Sequence, residues 1–406
     1  MSTVTEALTD VLRRPVMFLL AGVAAVVLWA CSDGAADGKP AAEAGATGSE
    51  QATASDTASA AISYSVRRYV RGAPQAVGLA FDTRGRLIYA EKDSGRIIRY
   101  SNGSKRVMAT LNVSGGGEAG LLGLTSDSKN NVYAYYTSGS QGCPDPTGSG
   151  GGGGLDGHCV WRFKTTGGGR LTADGLVFSS NHPSDASNHV GGGLHIGPDG
   201  ALYLSIGDLG ENDDPNKGPG RAQDLSVPFG KILRLDPAGR NKGATGNPGN
   251  CGNVANSSQR PASDDRIWAC GLRNTYQFAF DANKRMWGSE AGDSCDEINR
   301  IVAGVNYGWE PPRTDCSGSG AGRPILKVSG TPSGIAVPTS RSAGSWRNDV
   351  FYCLFVSGEL VRYDQKTRKR AKLGRGGGQC GYDMIARGNK IYMSSGEDVF
   401  RLSIKR

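Results

Sequence analysis

Histidine, aromatic side chains and helical periodicity are what this chain has little of, and each shortage closes off a class of protein. Only four histidines occur in 406 residues, His158, His182, His189 and His195, which disfavours a metal centre built from clustered imidazoles. No Cys-x-x-Cys pair occurs, so structural zinc sites of that kind are a poor reading. Aromatic residues make up 7% of the chain while glycine occurs 62 times. So many turn formers, with few sustained 3.6-residue patterns, read as short strands joined by turns and not as helical bundles. A Gly-x-Ser-x-Gly elbow, a P-loop and a dinucleotide fingerprint in its strand–helix context are all missing. The glycine run at 148–154 lacks that context as well and reads as a flexible loop.

The formal net charge is +8. A basic balance raises nucleic acid or an acidic membrane as partner, but the cations are scattered except at 366–375, K-T-R-K-R-A-K-L-G-R. That run has no interleaved aromatics and reads as a solvated loop, so no nucleic-acid partner is expected. At the other end, Arg13 and Arg14 precede a continuous apolar run over 16–30, closed by Leu28-Trp29-Ala30-Cys31. A basic start, an apolar centre and a small-residue boundary make a signal peptide, and the run falls short of the about 20 residues a membrane-spanning helix needs. Its ending resembles a lipobox with Cys31 as the lipidated residue; an uncleaved anchor is the other reading. Residues 32–62 hold no aromatic and almost no large aliphatic side chain, too little to offset the entropy of ordering, and read as a flexible tether. The expected organisation is therefore a lipoprotein signal peptide at 1–31, a tether at 32–62 and one exported domain at 63–406, lipid-anchored to the membrane of the cell envelope.

Cysteine count agrees with export. Removing Cys31 from the nine cysteines leaves eight, and an even number in an exported domain implies disulfides. Proximity in sequence favours Cys143–Cys159, Cys251–Cys270, Cys295–Cys316 and Cys353–Cys380, each closing a loop for a gain of about 3 kcal/mol in the chain-entropy model.

What the chain has in quantity is one repeated pattern: an apolar strand, a turn built on D-x-x-G or P-D-G, a second apolar strand and usually a third. It begins at Gly78 (G-L-A-F-D-T-R-G-R-L-I-Y-A-E-K-D-S-G-R-I-I-R-Y), Gly123, Asn188, Phe278, Asn348 and Met384. Six copies of a strand meander at comparable spacing predict an all-β, six-bladed β-propeller.

The third copy also carries the chemistry. Residues 188–208 read N-H-V-G-G-G-L-H-I-G-P-D-G-A-L-Y-L-S-I-G-D. The G-P-D-G turn between alternating apolar runs predicts a β-hairpin. An antiparallel pair brings its outer ends together, so His189 and Asp208 become neighbours, a base with a carboxylate to hold its tautomer. Asp208 can equally be a turn aspartate before Gly210. His195 lies inside a strand and reads as a structural histidine. The oxygen-rich loop 208–214 can bind calcium or be solvated turn.

These residues resemble the glucose/sorbosone dehydrogenase family, soluble quinoproteins that are six-bladed propellers using pyrroloquinoline quinone (PQQ) and calcium. Besides 188–208, the resemblance rests on G-E-A-G-L-L-G-L from Gly117, G-K-I-L-R-L-D from Gly230, A-C-G-L-R-N from Ala269 and W-G-S-E-A-G-D-S-C-D-E-I-N-R-I-V-A-G-V-N-Y-G-W from Trp287. It implies that His189 takes the proton of a sugar's anomeric hydroxyl, that Asp208 orients the imidazole, and that Arg273 faces the quinone carbonyl. It further implies that Asn274 hydrogen-bonds PQQ and that Gly292 and Asp293 offer backbone carbonyls to calcium. The implied activity is oxidation of an aldose sugar to its lactone. The pattern departs from the family at positions that meet cofactor or substrate: Gly193 stands for an arginine and Ala291 for a polar residue. A lysine near 355–356 and two arginines near 380–382 are missing, and those stretches read F-V-S-G and Q-C-G-Y-D. Arg341, Lys372 and Arg375 are the cations left to replace them. The missing cations favour an alternative, a non-catalytic carbohydrate- or protein-binding propeller like the hedgehog-interacting proteins. A calcium-dependent lactonase is a third reading.

Overall fold

The computed structural model describes residues 63–138, 143–148, 157–180, 188–210, 220–252, 264–293, 295–309, 322–373 and 380–405. Its strands form six four-stranded antiparallel sheets, the blades of a propeller. Blade one comprises β2 (Ala76–Phe81), β3 (Leu87–Glu91), β4 (Arg96–Ser101) and β5 (Ser104–Thr110). Blade two comprises β6 (Leu121–Ser126), β7 (Val132–Ser138), β8 (Gly157–Thr165) and β9 (Leu171–Ser179). Blade three comprises β10 (Leu194–Ile196), β11 (Leu202–Ile206), β12 (Lys231–Leu235) and β13 (Ile267–Cys270). Blade four comprises β14 (Thr275–Phe280), β15 (Met286–Glu290), β16 (Asp296–Ile301) and β17 (Leu326–Val328). Blade five comprises β18 (Pro332–Ala336), β19 (Val350–Leu354), β20 (Glu359–Tyr363) and β21 (Arg370–Leu373). Blade six comprises β22 (Met384–Arg387), β23 (Lys390–Ser394) and β24 (Val399–Ile404), and its outer strand is β1 (Tyr64–Val70) from the start of the domain.

Turn chemistry makes the first hairpin of several blades. Asp82 Oδ1 accepts from the backbone N–H of Arg84 (3.0 Å) and Arg86 (2.8 Å), and Asp281 does the same for Asn283 (2.8 Å) and Arg285 (3.0 Å). The second carboxylate oxygen of each takes the arginine Nε four residues on, at 2.6 Å. This is an Asx turn closed by an ion pair; at Asp82 it is the D-x-x-G signature seen in the sequence, while at Asp281 Lys284 takes the place of the glycine.

The apolar core lies between blades. Each hydrophobic cluster joins two neighbours; Leu122, Tyr135 and Val160 of blade two, for example, pack with Leu194, Leu204 and Leu233 of blade three. The innermost strands contact one another all the way around, from β2 through β6, β10, β14, β18 and β22 back to β2. A side chain at Gly123 would stand 2.5 Å from Gly192 O and 2.8 Å from Leu194 Cβ, so only glycine lets β6 approach blade three this closely.

Three predicted disulfides are formed: Cys143–Cys159, Cys251–Cys270 and Cys353–Cys380, with Cα separations of 5.7, 6.0 and 5.7 Å. Cys295 is also disulfide-bonded, but Cys316 lies outside the described residues, as do Cys31, His182 and residues 211–214. Among the described residues no helix is long and apolar enough to cross a membrane.

Two expectations are corrected. The fifth repeat begins one strand earlier than Asn348, because its innermost strand β18 (P-S-G-I-A) is too short and glycine-rich to show alternation. The basic run 366–375 is not all loop. Arg370–Leu373 is the outer strand of blade five, pairing with β20 from Leu360↔Leu373 to Tyr363↔Arg370. Charged side chains suit a solvent-facing edge strand.

Two histidines belong to the fold. His195 Nε2 meets Gln277 Oε1 at 3.1 Å, with Phe278 edge-on to the ring. His158 is fully buried, its Nδ1 2.9 Å from the Tyr135 hydroxyl. Burial pushes both imidazoles down to about 4 from 6.5. The unfolded chain therefore binds protons in this window that the folded chain refuses, so each neutral imidazole contributes stability that is lost as pH falls from 6.5 toward 4. The buried carboxyls of Glu290 and Asp383, pushed up to about 8, have the opposite slope, so a difference measurement isolates the histidine. The stability gap between wild type and His195→Gln is expected to move against wild type as pH falls through that window in urea melts; a pH-independent gap contradicts the assignment. A second test concerns closure. Deletion through Val70 strips β24 of one of its two partners and is expected to lower the Tm by at least about 5 °C in calorimetry, whereas an unchanged Tm would show that the N-terminal strand does not close the ring.

Candidate active site

His189 lies between β9 and β10 with φ at 50°, a left-handed backbone uncommon for a residue with a side chain. Gly191 follows with φ at 72°, where a Cβ would stand 2.4 Å from Ser205 O. This cramped turn lays the segment along the end of β11, and the Leu209 N–H donates to His189 O at 3.2 Å. β10 and β11 form the hairpin expected, with His195 opposite Tyr203. Its outer ends meet: His189 Nδ1 lies 2.7 Å from Asp208 Oδ1.

Asp208 is buried and its carboxylate is fully engaged. Oδ1 also accepts the Gly210 N–H at 3.0 Å, and Oδ2 accepts the indole N–H of Trp309 at 2.7 Å. A carboxylate can only accept here, so Nδ1 carries a proton, and in the neutral imidazole the lone pair is on Nε2. Nε2 has no protein partner among the described residues.

The loop before β14 supplies the positive charge. The Arg273 carbonyl accepts the Asp208 N–H at 2.8 Å. Its guanidinium carbon lies 5.4 Å from the Trp309 ring centroid, and Nη1 donates to Ala291 O at 3.1 Å. Glu290, buried at the end of β15, accepts the backbone N–H of Arg273 (2.5 Å) and Asn274 (2.9 Å) and the Thr275 hydroxyl. One carboxyl group thus fixes the loop that carries both side chains.

Asn274 joins three segments. Its Oδ1 accepts the Gly191 N–H at 3.1 Å, and its Nδ2 donates to Glu118 Oε2 at 3.1 Å. Glu118 Oε2 also accepts the Val190 N–H at 3.3 Å, while the Tyr135 hydroxyl donates to Val190 O at 2.7 Å. Lys231 lies behind, fully buried, donating to the carbonyls of Arg221 (2.8 Å), Ala222 (3.1 Å) and Phe229 (2.6 Å). Burial pushes its ammonium down to about 7.

His189, Asp208, Arg273 and Asn274 are therefore brought together. Gly292 and the exposed Asp293 follow directly on Ala291, whose carbonyl holds Arg273, and Gly292 N donates to Asp296 Oδ1 at 3.1 Å. Among the described residues no group of three or more His, Cys, Asp and Glu side chains converges on a metal position. His195 stays in its strand, apart from the cluster. Trp309, Glu118 and Glu290 were given no role from the sequence, although each falls inside a quoted motif. The missing signal was convergence, since Trp309 meets Asp208 across 101 residues.

The donor set fits the reacting end of a quinone cofactor: a base, a guanidinium and an amide around one place. The positions expected to meet cofactor or substrate differ. A Cβ at Gly193 would stand 2.7 Å from the Phe278 ring and 2.8 Å from Ser205 Oγ, so that space is taken and an arginine has no room. Phe355 and Val356 are 45% and 62% exposed, and Phe355 packs edge-on against Tyr382 at 5.4 Å, an apolar surface where cations were expected. Lys372 is paired with Glu359 at 2.8 Å on the outer strands of blade five. Arg341 begins the short 3-10 helix Arg341–Trp346, and Arg375 lies outside the described residues.

The family model for glucose/sorbosone dehydrogenase matches residues 73–377. Quinoprotein glucose dehydrogenase B of Acinetobacter calcoaceticus is 31% identical over 239 residues, 54% of this chain and 46% of that protein. The HIPL1 protein of Arabidopsis thaliana is 33% identical over 149 residues, 34% of this chain and 20% of that protein. The chain thus spans less than half the length of these two curated relatives. Among solved structures, the PQQ-bound aldose sugar dehydrogenase of Streptomyces coelicolor superposes with a TM-score of 0.65 at 26% identity, covering 84% of this chain and 99% of that one. With its six antiparallel blades and a family match over most of its length, the chain belongs to the glucose/sorbosone dehydrogenase family.

Proposed function

We propose that this protein is a PQQ- and calcium-dependent dehydrogenase that oxidises the anomeric carbon of an aldose sugar to a lactone. The observation that carries the reading is the pairing of His189 and Asp208 next to Arg273. With Nδ1–H given to Asp208, Nε2 is the lone pair available to a hydroxyl proton, and the carboxylate stabilises the imidazolium formed when that proton arrives. Arg273 carries a fixed positive charge close to the pair, able to stabilise the negative charge that develops as the electrons leave the sugar. Its support by Glu290, Ala291 O and Trp309 limits reorganisation during the reaction. Arg273 and Asn274 would hold the cofactor, and the backbone carbonyls of Gly292 and Asp293 would hold calcium. When bound, PQQ supplies the two-electron acceptor.

The proposal includes export. A signal peptide at 1–31, lipidation of Cys31 and the tether at 32–62 carry the domain to the membrane of the cell envelope; the disulfides support an oxidising compartment. A second reading, a propeller that binds carbohydrate or protein without catalysis, is favoured by the exposed Phe355 and Val356 where cofactor-binding cations were expected.

Dye reduction by the purified protein with PQQ, calcium and a panel of aldoses decides between them. Activity with at least one aldose is expected; failure of every sugar, together with no PQQ-induced rise in Tm, sinks the dehydrogenase. His189→Ala should reduce kcat at least about 100-fold, and a variant with wild-type turnover refutes the base. Each missing charged contact is worth about 1.5–3 kcal/mol, so Val356→Lys is expected to tighten PQQ binding at least about tenfold. Unchanged affinity by calorimetry would show that the cofactor's carboxylates lie elsewhere.

A further inference from the structure

We propose that Trp309 is a positioning residue that locks the His189–Asp208 pair in its working tautomer and couples it to Arg273. The role as a positioning residue rests on the dehydrogenase reading; the geometry does not. Among the described residues, three donors meet the two oxygens of Asp208. Oδ1 receives the His189 Nδ1–H and the Gly210 N–H, both on its own chain segment's side, and Oδ2 receives the Trp309 indole at 2.7 Å. That single bond fixes the plane of the carboxylate. Without it a buried oxygen is left unpaired, and the group is free to rotate toward other donors. The imidazole would then lose the acceptor that assigns its proton to Nδ1.

Trp309 is itself held through its main chain on both sides. Its backbone N–H donates to Gly271 O at 2.9 Å, and its carbonyl accepts from Gln223 Nε2 at 2.7 Å. Gln223 Oε1 in turn accepts from Asn306 Nδ2 at 2.7 Å, and Asn306 Oδ1 accepts the Gly308 N–H at 2.8 Å. The ring face lies 5.4 Å from the Arg273 guanidinium carbon, within the range of a cation–π contact. One side chain therefore touches the orienter of the base with its edge and the cation with its face. The charged groups around the pair are Glu118, which accepts the Val190 N–H, Arg273, whose carbonyl takes the Asp208 N–H, and Lys231, buried behind Asp208. None of these three donates to Asp208 Oδ2, so among the described residues Trp309 is its donor.

The test is ring-nitrogen NMR of His189 in cofactor-free protein, combined with steady-state kinetics. Wild type should show the Nδ1–H tautomer alone. Trp309→Phe keeps an aromatic face under Arg273 but removes the donor. It is expected to mix the two tautomers and to lower kcat about tenfold, with KM changed less than about twofold. Trp309→Leu removes both contacts, so it should mix the tautomers and also raise the Kd for PQQ in calorimetry. A Trp309→Phe protein that keeps the single Nδ1–H tautomer overturns the proposal; if that variant does not fold, a Trp309→Leu protein with the wild-type tautomer does so. If wild type oxidises no sugar, the dehydrogenase reading falls, while the tautomer measurement still decides what Trp309 does.

Discussion

Six sheets can close a ring only if their innermost strands come within van der Waals reach of one another, and everything else in the domain follows from that approach. The blades bury their apolar faces against neighbours and not against a shared centre, so no blade is stable alone. Glycines stand where the approach is tightest. Gly123 meets Gly192 and Leu194 of the next blade, and Gly193 meets Phe278 of the one after. The same glycines therefore build the fold and shape the site. The turn that presents His189 is the point at which blade three is squeezed between its neighbours.

That shared origin explains why part of the molecule could be read from sequence and part could not. The repeated strand–Asp turn–strand pattern is local, written within some twenty residues by alternation and by Asx chemistry, and it was legible at once. His189 and Asp208 were legible for the same reason, because a hairpin forces its two ends together. The innermost strand of blade five was not, since P-S-G-I-A is too short for a period to appear. Nor was the outer strand Arg370–Leu373, whose exposed edge needs no apolar face. Trp309, Glu118 and Glu290 were invisible as site residues because each reaches the cluster from a different blade or loop. No local pattern encodes a distance across the top of a ring.

The site divides into a part that is fixed and a part that has changed. Asp208, Arg273, Asn274 and Glu290 are bound together through backbone donors and carbonyls, so their geometry belongs to the fold as much as to any reaction. The wall expected to meet the cofactor's carboxylates has instead become apolar at Phe355 and Val356, and Gly193 has no room for a larger side chain. A chain can lose such contacts without losing its fold, because cations on a rim contribute to binding and not to closure. On the proposed dehydrogenase reading, this leaves the reacting centre intact beside a weakened grip on the cofactor.

The central claim is that His189 removes the sugar's proton while PQQ bound beside Arg273 takes the electrons. The most direct measurement is single-turnover absorbance of the PQQ-loaded protein mixed with an aldose in the absence of any further acceptor. The account predicts that the oxidised-quinone spectrum of wild type is lost in one stoichiometric step, and that His189→Ala binds the cofactor but keeps that spectrum. Equal rates of loss in the two proteins, or a wild type that binds PQQ and is left unchanged by every aldose, would contradict it.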